Sequence, residues 1–339
     1  MTTINRRRFV QSAGVVAAVP VLGVLPFQAR SQVPAAADLK IETDIVFGKG
    51  GDMDLPLDVY HPAASNAKRM AVIHLYGGGF FTGSKQGVAT SSRAFAGEGY
   101  TSIASTYRLT GQGRWPAQIE DVKAAIRWTR ANADRLNIDA DKIAIAGYSA
   151  GGMLALFAAG TGDRPEFEGS GGNEGVSSKV AACVAFYPAT RATPGLMPEG
   201  GADEGALAAA SPDTYISADF APTIFLHGMS DTTIPYTSSV DFFNKLHEAG
   251  VKVDLHLFQG APHAYEGRNE DAALASAQAS NLFLDRVVVN PTDYPPFGFG
   301  GPGGTGPGGP GGSRAPGGAP GAGGAPGAGR PPGPDGAGR

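Results

Sequence analysis

Three residue types that together perform acyl transfer occur in this chain in an order and setting that suit the chemistry. The first is Ser149, at the centre of Gly147-Tyr148-Ser149-Ala150-Gly151. Residues 143–146 before it are apolar enough for a fully buried strand, and the small apolar residues 152–159 after it read as a helix packed tightly on a sheet. G-x-S-x-G at a strand-to-helix turn exposes the serine hydroxyl as a nucleophile. The turn is sharp, so the positions two residues either side of the serine must be small, and one backbone position is strained.

A serine hydroxyl is a poor nucleophile near neutral pH. It needs a base within hydrogen-bond reach, and the base needs a third group to hold its tautomer. Of the six histidines, His61 is beside Pro62 in a turn, His74 and His256 are inside strands, His227 ends a strand, and His247 is on a helix among charged neighbours. His263 sits in the loop Gly260-Ala261-Pro262-His263-Ala264 just past the last strand. Ligands approach parallel sheets at the carboxyl ends of strands, so His263 is the expected base. Asp231, in His227-Gly228-Met229-Ser230-Asp231, is the expected acid, being placed past a strand and between serine and histidine in the chain. Asp219 precedes its strand and Asp254 lies within one. An oxyanion needs backbone N–H groups that side chains do not block. Gly77-Gly78-Gly79, at the end of the third strand, can turn its amides towards the site, and Ala150 after the nucleophile would add a further donor. These glycines lack the spacing and the Lys-Ser/Thr of a nucleotide-binding loop. Tyr76, Phe80 and Tyr148, which flank the glycine loop and the serine, are expected to contact substrate. Histidines are dispersed and there is no cysteine pair, so neither a metal nor a cofactor is expected.

The elements that must position these residues alternate along the chain. Strands are expected at 40–47, 55–60, 70–76, 101–107, 143–146, 180–187, 223–227 and 251–258, with helices at 91–98, 117–133, 152–159, 240–249 and 271–286. The stretch 117–133 has apolar Ile119, Val122, Ala125, Ile126 and Trp128 at helical spacing with a polar opposite face. Such alternation predicts an α/β fold, a mostly parallel twisted sheet with helices on both faces. The segment 190–219 is too short for a domain and reads as a small cap over the site.

Composition is uneven along the 339 residues. Residues 1–37 hold four arginines and no acid; Arg6-Arg7-Arg8-Phe9 precedes an apolar run over 15–27 that is too short to span a bilayer. This reads as a cleavable, twin-arginine-like export signal, with cleavage after Ala29 or within 35–37. The mature protein is then expected in the periplasm or outside a bacterial cell, with no stable membrane anchor. The formal charge of −4 becomes −8 when the four arginines leave, which argues against a nucleic-acid partner. The catalytic domain is expected over 38–293. Residues 294–339 form a Gly/Pro-rich tail without Leu, Ile or Val, expected to be disordered. The lone cysteine, Cys183, falls in an apolar run and reads as a buried core residue.

With these pieces placed, the chain resembles the α/β-hydrolase superfamily, within it the esterases of the BD-FAE and hormone-sensitive-lipase-like type. The resemblance runs from about Leu55 to Arg286. It rests on LDVYHP (57–62), YGGGFFTGSK (76–85), YRL (107–109), WPAQIEDVKAAIRWTRANA (115–133), GYSAGG (147–152), SPDTYIS (211–217), HGMSDTTIP (227–235) and GAPHAY (260–265). It implies a secreted serine hydrolase that cleaves short-acyl or sugar-linked carboxylic esters through an acyl-enzyme. Ser149 would be nucleophile, His263 base and Asp231 acid, and the amides of Gly78, Gly79 and Ala150 would form the oxyanion hole. The substrate would be a small-molecule or carbohydrate ester. One departure is Tyr76, where such esterases carry a loop-shaping histidine. A serine peptidase of the prolyl-oligopeptidase type and a catalytically silent binding protein on the same scaffold are the competing readings.

Overall fold

Eight strands form one sheet in the order β1-β2-β4-β3-β5-β6-β7-β8. They are β1 Ile41–Gly50, β2 Met53–Tyr60, β3 Ala71–Leu75, β4 Thr101–Ser105, β5 Ile143–Tyr148, β6 Ala182–Phe186, β7 Thr223–Gly228 and β8 Val253–Phe258. The first two pairings, β1 with β2 and β2 with β4, are antiparallel; all others are parallel. The computed structural model describes residues 32–197 and 201–293. They fall within one unit, Met1–Asp293, separate from Tyr294–Arg339. The expected leader up to residue 31 and the whole tail lie outside the described residues.

Every residue of β3 through β7 is buried. A strand covered on one face would alternate, so this run of burial requires helices on both faces. The helices are α1 Ala89–Gly97, α2 Ala117–Ala131, α3 Ala133–Leu136, α4 Ala150–Gly160, α5 Glu204–Ala209, α6 Thr237–Glu248 and α7 Glu270–Leu284. Helix α1 packs on α7, and α2 on α4.

Helix α2 departs from the sequence expectation in an informative way. Its polar face is buried too: Gln118, Asp121, Lys123, Arg127 and Thr129 are all inaccessible. The cause is the long loop after α4, which folds over that face. Lys123 Nζ donates to Glu168 Oε1 at 2.9 Å and to the Thr161 carbonyl, and Arg127 donates to Glu168 Oε2 at 2.7 Å. On the other flank, Arg108 clasps Asp121 with contacts of 2.7 and 2.8 Å. Buried charges survive only when paired in this way.

Two boundaries shift. The folded unit starts before Asp38, because Val33 is buried in the core and the Pro34 carbonyl accepts from Arg93 at 2.8 Å. Where a small cap was expected, none of the described residues of 190–219 lines the cavity at the site. Leu196 and Met197 are buried, the Leu196 carbonyl accepts from the Trp115 amide, and Arg114 holds the Gly195 carbonyl at 2.7 Å. These anchors draw the described part of the segment down beside the site.

The sheet's central crossing depends on a missing side chain. A Cβ on Gly151, in the first turn of α4, would lie 2.2 Å from the Leu75 carbonyl oxygen and 2.4 Å from that of Tyr76. Only glycine lets α4 approach β3 this closely. We predict that Gly151→Ala destabilises the fold by about 3 kcal/mol, at the upper end for overpacking because the obstacle is backbone on both sides. Urea unfolding checks this; a loss below about 1 kcal/mol would mean that α4 can retreat freely.

Candidate active site

The carboxyl ends of four parallel strands converge. Strand β5 ends at Tyr148 and feeds Ser149; β7 ends at Gly228 and leads to Asp231; β8 ends at Phe258 and leads to His263; β3 ends at Leu75 and leads to the glycine loop. Four separate stretches of sequence therefore meet at one rim of the sheet, as the loops of an open parallel sheet must.

Ser149 has φ 55° and ψ −114°, left-handed backbone that a side-chain-bearing residue adopts only under constraint. The constraint is visible. Its amide donates to the Phe186 carbonyl at 3.0 Å, and its carbonyl accepts from the Met153 and Ala189 amides, each at 3.1 Å. The strained turn throws the hydroxyl clear of the sheet. Ser149 Oγ lies 3.0 Å from His263 Nε2, and His263 Nδ1 lies 2.6 Å from Asp231 Oδ2. The carboxylate can only accept, so Nδ1 carries the proton and Nε2 is left free to accept from the serine hydroxyl.

Asp231 is fixed on all sides. Its Oδ1 accepts from the Thr233 and Ile234 amides at 2.8 and 2.9 Å. Its Oδ2 accepts from His263 and also from His227 Nε2 at 3.2 Å. His227 Nε2 faces a second acceptor, the Ile234 carbonyl at 3.0 Å, so that nitrogen bears the proton, while Nδ1 accepts from the Ser239 hydroxyl at 2.8 Å. Burial keeps His227 neutral by lowering its pKa, against its hydrogen bonds. Burial alone would raise Asp231, but the Ile234 amide, His263 and the Thr233 amide outweigh it and hold the carboxyl below the ordinary aspartate range.

The glycine loop is fastened by a pair of tyrosines. Tyr76 OH donates to the Tyr107 carbonyl at 2.9 Å, Tyr107 OH donates to the Tyr76 carbonyl at 2.7 Å, and the rings stack at 4.4 Å. Burial pushes the Tyr76 hydroxyl up to about 12, so it stays a neutral donor. This reciprocal clasp occupies the place of the loop-shaping histidine expected from the resemblance. Beyond it the chain turns through Gly78 at φ 118°, whose carbonyl accepts from the Phe81 and Thr82 amides. The Gly78 and Gly79 amides donate to no acceptor among the described residues. Ala150 opens α4, where the first N–H groups have no helical partner and the helix dipole favours negative charge.

A cavity of about 460 Å³ lies against Ser149 and His263. Its wall includes Tyr76, Tyr148 and the glycines 77–79. Phe80 does not line it. It is buried in the core at φ 70°, with its carbonyl held by the Thr110 amide at 2.9 Å, so the turn through Gly78 and Gly79 directs it inward. Tyr148 stacks on Phe186 at 4.4 Å and meets His74 Nδ1 at 3.1 Å. His74 is fully buried and its pKa is driven down to about 3 by burial, so it is a neutral prop. The opposite wall, 83–88, is secured by Lys85, which pairs with Asp58 and, at 2.8 Å, with Asp44. None of the described residues of 190–219 lines the cavity. A cleft of similar volume in that segment, at Arg191, Glu204 and Asp213, carries the hydroxyls of Ser211 and Thr214 but no histidine beside them. Among the described residues no three metal-binding side chains converge.

Sequence reasoning passed over three residues of this site. His227 is the second partner of Asp231. Tyr187, just past β6, packs its ring edge on His263 at 4.7 Å, and Glu266 accepts from Tyr187 OH at 2.5 Å. The strand-end rule that pointed to His263 also points to Tyr187 and to His227; nothing local marks Glu266.

The BD-FAE family model matches residues 57–246. Across 273 residues the chain is 30% identical to the probable carboxylic ester hydrolase LipM of Mycobacterium tuberculosis, over 74% of this chain and 62% of that protein. It is 31% identical to esterase LipC of the same organism, over 70% of this chain and 64% of LipC. The chain thus spans under two thirds of these relatives. Esterase Est2 of Thermogutta terrifontis superposes with a TM-score of 0.64 at 30% identity, over 73% of this chain and 92% of that one. That esterase has also been solved bound to propionate and to butyrate, and phosphorylated by paraoxon.

The lowered pKa of Asp231 has a consequence for stability. The folded state binds this proton less readily than the unfolded state. The contribution is therefore complete above the unfolded aspartate value of about 3.9 and is lost as pH falls through the folded one. We predict that Asp231→Asn flattens the acid limb of the stability curve below about pH 4. Urea midpoints at pH 5, 4, 3 and 2 check this, and parallel curves for the two proteins would contradict it.

Proposed function

The chain belongs to the BD-FAE family of α/β-hydrolase esterases, and from this premise we propose that it is a serine hydrolase of carboxylic esters working through an acyl-enzyme. The observation that carries the reading is the unbroken relay Ser149–His263–Asp231 at the edge of a cavity of about 460 Å³. Ester-cleaving relatives support it.

In this mechanism Ser149 Oγ attacks the ester carbonyl carbon while its proton passes to His263 Nε2. The carbonyl oxygen becomes an oxyanion that accepts from the amides of Gly78, Gly79 and Ala150. These donors are fixed before reaction, so they stabilise developing charge without reorganising. The imidazolium is stabilised by Asp231, whose carboxylate the Thr233 and Ile234 amides and His227 keep in place. His263 gives its proton to the departing alkoxide, leaving the acyl group on Ser149. Water then repeats the sequence: His263 takes its proton, hydroxide adds to the acyl carbon, and Ser149 leaves with the proton. The products are an alcohol and a carboxylic acid. Propionate and butyrate bound to the Thermogutta esterase favour short acyl groups here as well.

We further propose that the chain is exported and processed after Ala29 and not within 35–37. Cleavage at the later site would remove Val33 from the core and Pro34 from its hydrogen bond with Arg93.

Turnover of p-nitrophenyl acetate and butyrate, beside a proline nitroanilide, tests the main reading. We expect ester turnover, no amide turnover, and labelling of Ser149 by a fluorophosphonate. Ser149→Ala should lower kcat by about 10⁴-fold or more. Ester turnover that survives this substitution removes Ser149 as nucleophile, and absence of any turnover and labelling removes the hydrolase reading. N-terminal sequencing of the exported protein checks the processing site; a first residue beyond Pro34 contradicts it.

A further inference from the structure

Glu266 is a carboxyl side chain in the cavity wall for which the ester-cleaving steps have no use. The residue is 5% exposed. One oxygen, Oε1, accepts from Tyr187 OH at 2.5 Å. The other, Oε2, has no hydrogen-bond partner. The amides of Glu266 and Gly267 are close to the carboxyl but do not bond Oε2. Of the buried side-chain atoms left without a partner among the described residues, Oε2 alone belongs to a residue lining the catalytic cavity. An unpaired buried carboxyl oxygen forfeits its hydration with nothing in return, so its environment ordinarily supplies a partner. Helices α7 and α1 pack against the turn that carries Glu266, and the residue lines the cavity, so the cavity is the side open to a partner.

The remaining wall narrows the partner's chemistry. Beside His263 it is built of glycines, Ala264, Val88, Tyr76, Tyr148, Tyr187 and small hydroxyl residues, and Glu266 is its one acidic side chain. Burial raises the Glu266 pKa, only partly offset by Tyr187 and the nearby amides. A group in that state suits a neutral partner that can both give and take a hydrogen bond, and suits a cation poorly, since the cation would also have to be desolvated.

We propose that Glu266 is a specificity-determining residue whose Oε2 hydrogen-bonds a hydroxyl group on the substrate, so that the preferred substrates are hydroxylated esters. The inference rests on the esterase reading above. Tyr187 holds the carboxyl by its other oxygen and at the same time packs on His263, which places the substrate hydroxyl and the base in one fixed frame.

The test compares matched ester pairs on the full chain. For the acyl side, p-nitrophenyl 3-hydroxybutyrate is set against p-nitrophenyl butyrate; for the alcohol side, glycerol monoacetate against propyl acetate. The expected result is a kcat/KM ratio favouring the hydroxylated member of one pair by at least about tenfold. That pair identifies the side. The ratio should collapse to within about threefold in Glu266→Leu and fall to an intermediate value in Glu266→Gln, which preserves size and the Tyr187 contact. A purely structural role would lower both members of a pair alike and leave the ratio untouched, and that result overturns the proposal. So does a stronger preference for p-nitrophenyl 3-aminobutyrate, which would make the carboxylate a cation site. If Glu266→Leu does not fold, the wild-type ratio and the Glu266→Gln ratio decide. Turnover of the plain butyrate that disappears in Ser149→Ala, with no hydroxyl preference, defeats this inference alone. Failure of every ester defeats it together with the esterase reading.

Discussion

The site hangs on a steric permission: α4 can begin almost in contact with β3 because Gly151 has no side chain. That approach forces the chain to reverse within a residue or two of the strand's end, and Ser149 absorbs the reversal at φ 55°. The strain persists because the backbone on both sides is pinned, the amide by Phe186 and the carbonyl by Met153 and Ala189. Pinning through Phe186 and Ala189 ties the turn to β6 and the chain just after it. The same close approach sets the Ala150 amide beside the glycine loop that follows β3. The exposed Ser149 hydroxyl and the unpaired amides near it are thus consequences of one packing contact.

Electrostatics completes what packing begins. Asp231 receives four hydrogen bonds from groups that cannot accept in return, two amides and two imidazoles. This makes it a carboxylate despite its burial, and it orients both histidines as donors toward it. His263 consequently has its other nitrogen free to face Ser149. His227 is an instance of the same logic in reverse: caught between a carboxylate, a carbonyl and a serine hydroxyl, it has every polar atom satisfied and no reason to ionise. The proposed proton relay depends on this inequality between two imidazoles that both bond Asp231.

The cavity wall shows a different division of labour. Tyr76 and Tyr107 exchange hydrogen bonds across their stacked rings, and so a loop that begins with three glycines acquires a rigid base. Lys85 performs the corresponding task on the far wall through two aspartates from β1 and β2. Between them the walls are mostly glycine and aromatic carbon with a few hydroxyls, and the one carboxyl among them lies past β8. It belongs to Glu266, which Tyr187 holds by one oxygen.

The sequence by itself determined the strand-helix alternation, the serine turn, the histidine and aspartate past later strands, and the glycine loop past an earlier one. These are local signals: burial forces apolar runs, tight turns force glycine, and strand ends in a parallel sheet share one rim. Tertiary structure decided what depends on meeting partners far apart in the chain. Phe80 and Tyr76 lie in the same loop, yet one points to the core and the other walls the cavity, because their orientation is fixed by Thr110 and Tyr107. The polar face of α2 reads as solvent-exposed until Glu168 folds over it. The segment 190–219 reads as a cap, but Arg114 and Trp115 hold its described residues 195 and 196 beside the site. Glu266 is an ordinary loop glutamate in sequence. Only the arrival of Tyr187 on one oxygen, with no partner on the other, makes it a feature of the site, since an unpaired buried oxygen exists only once the surrounding chain has closed around it.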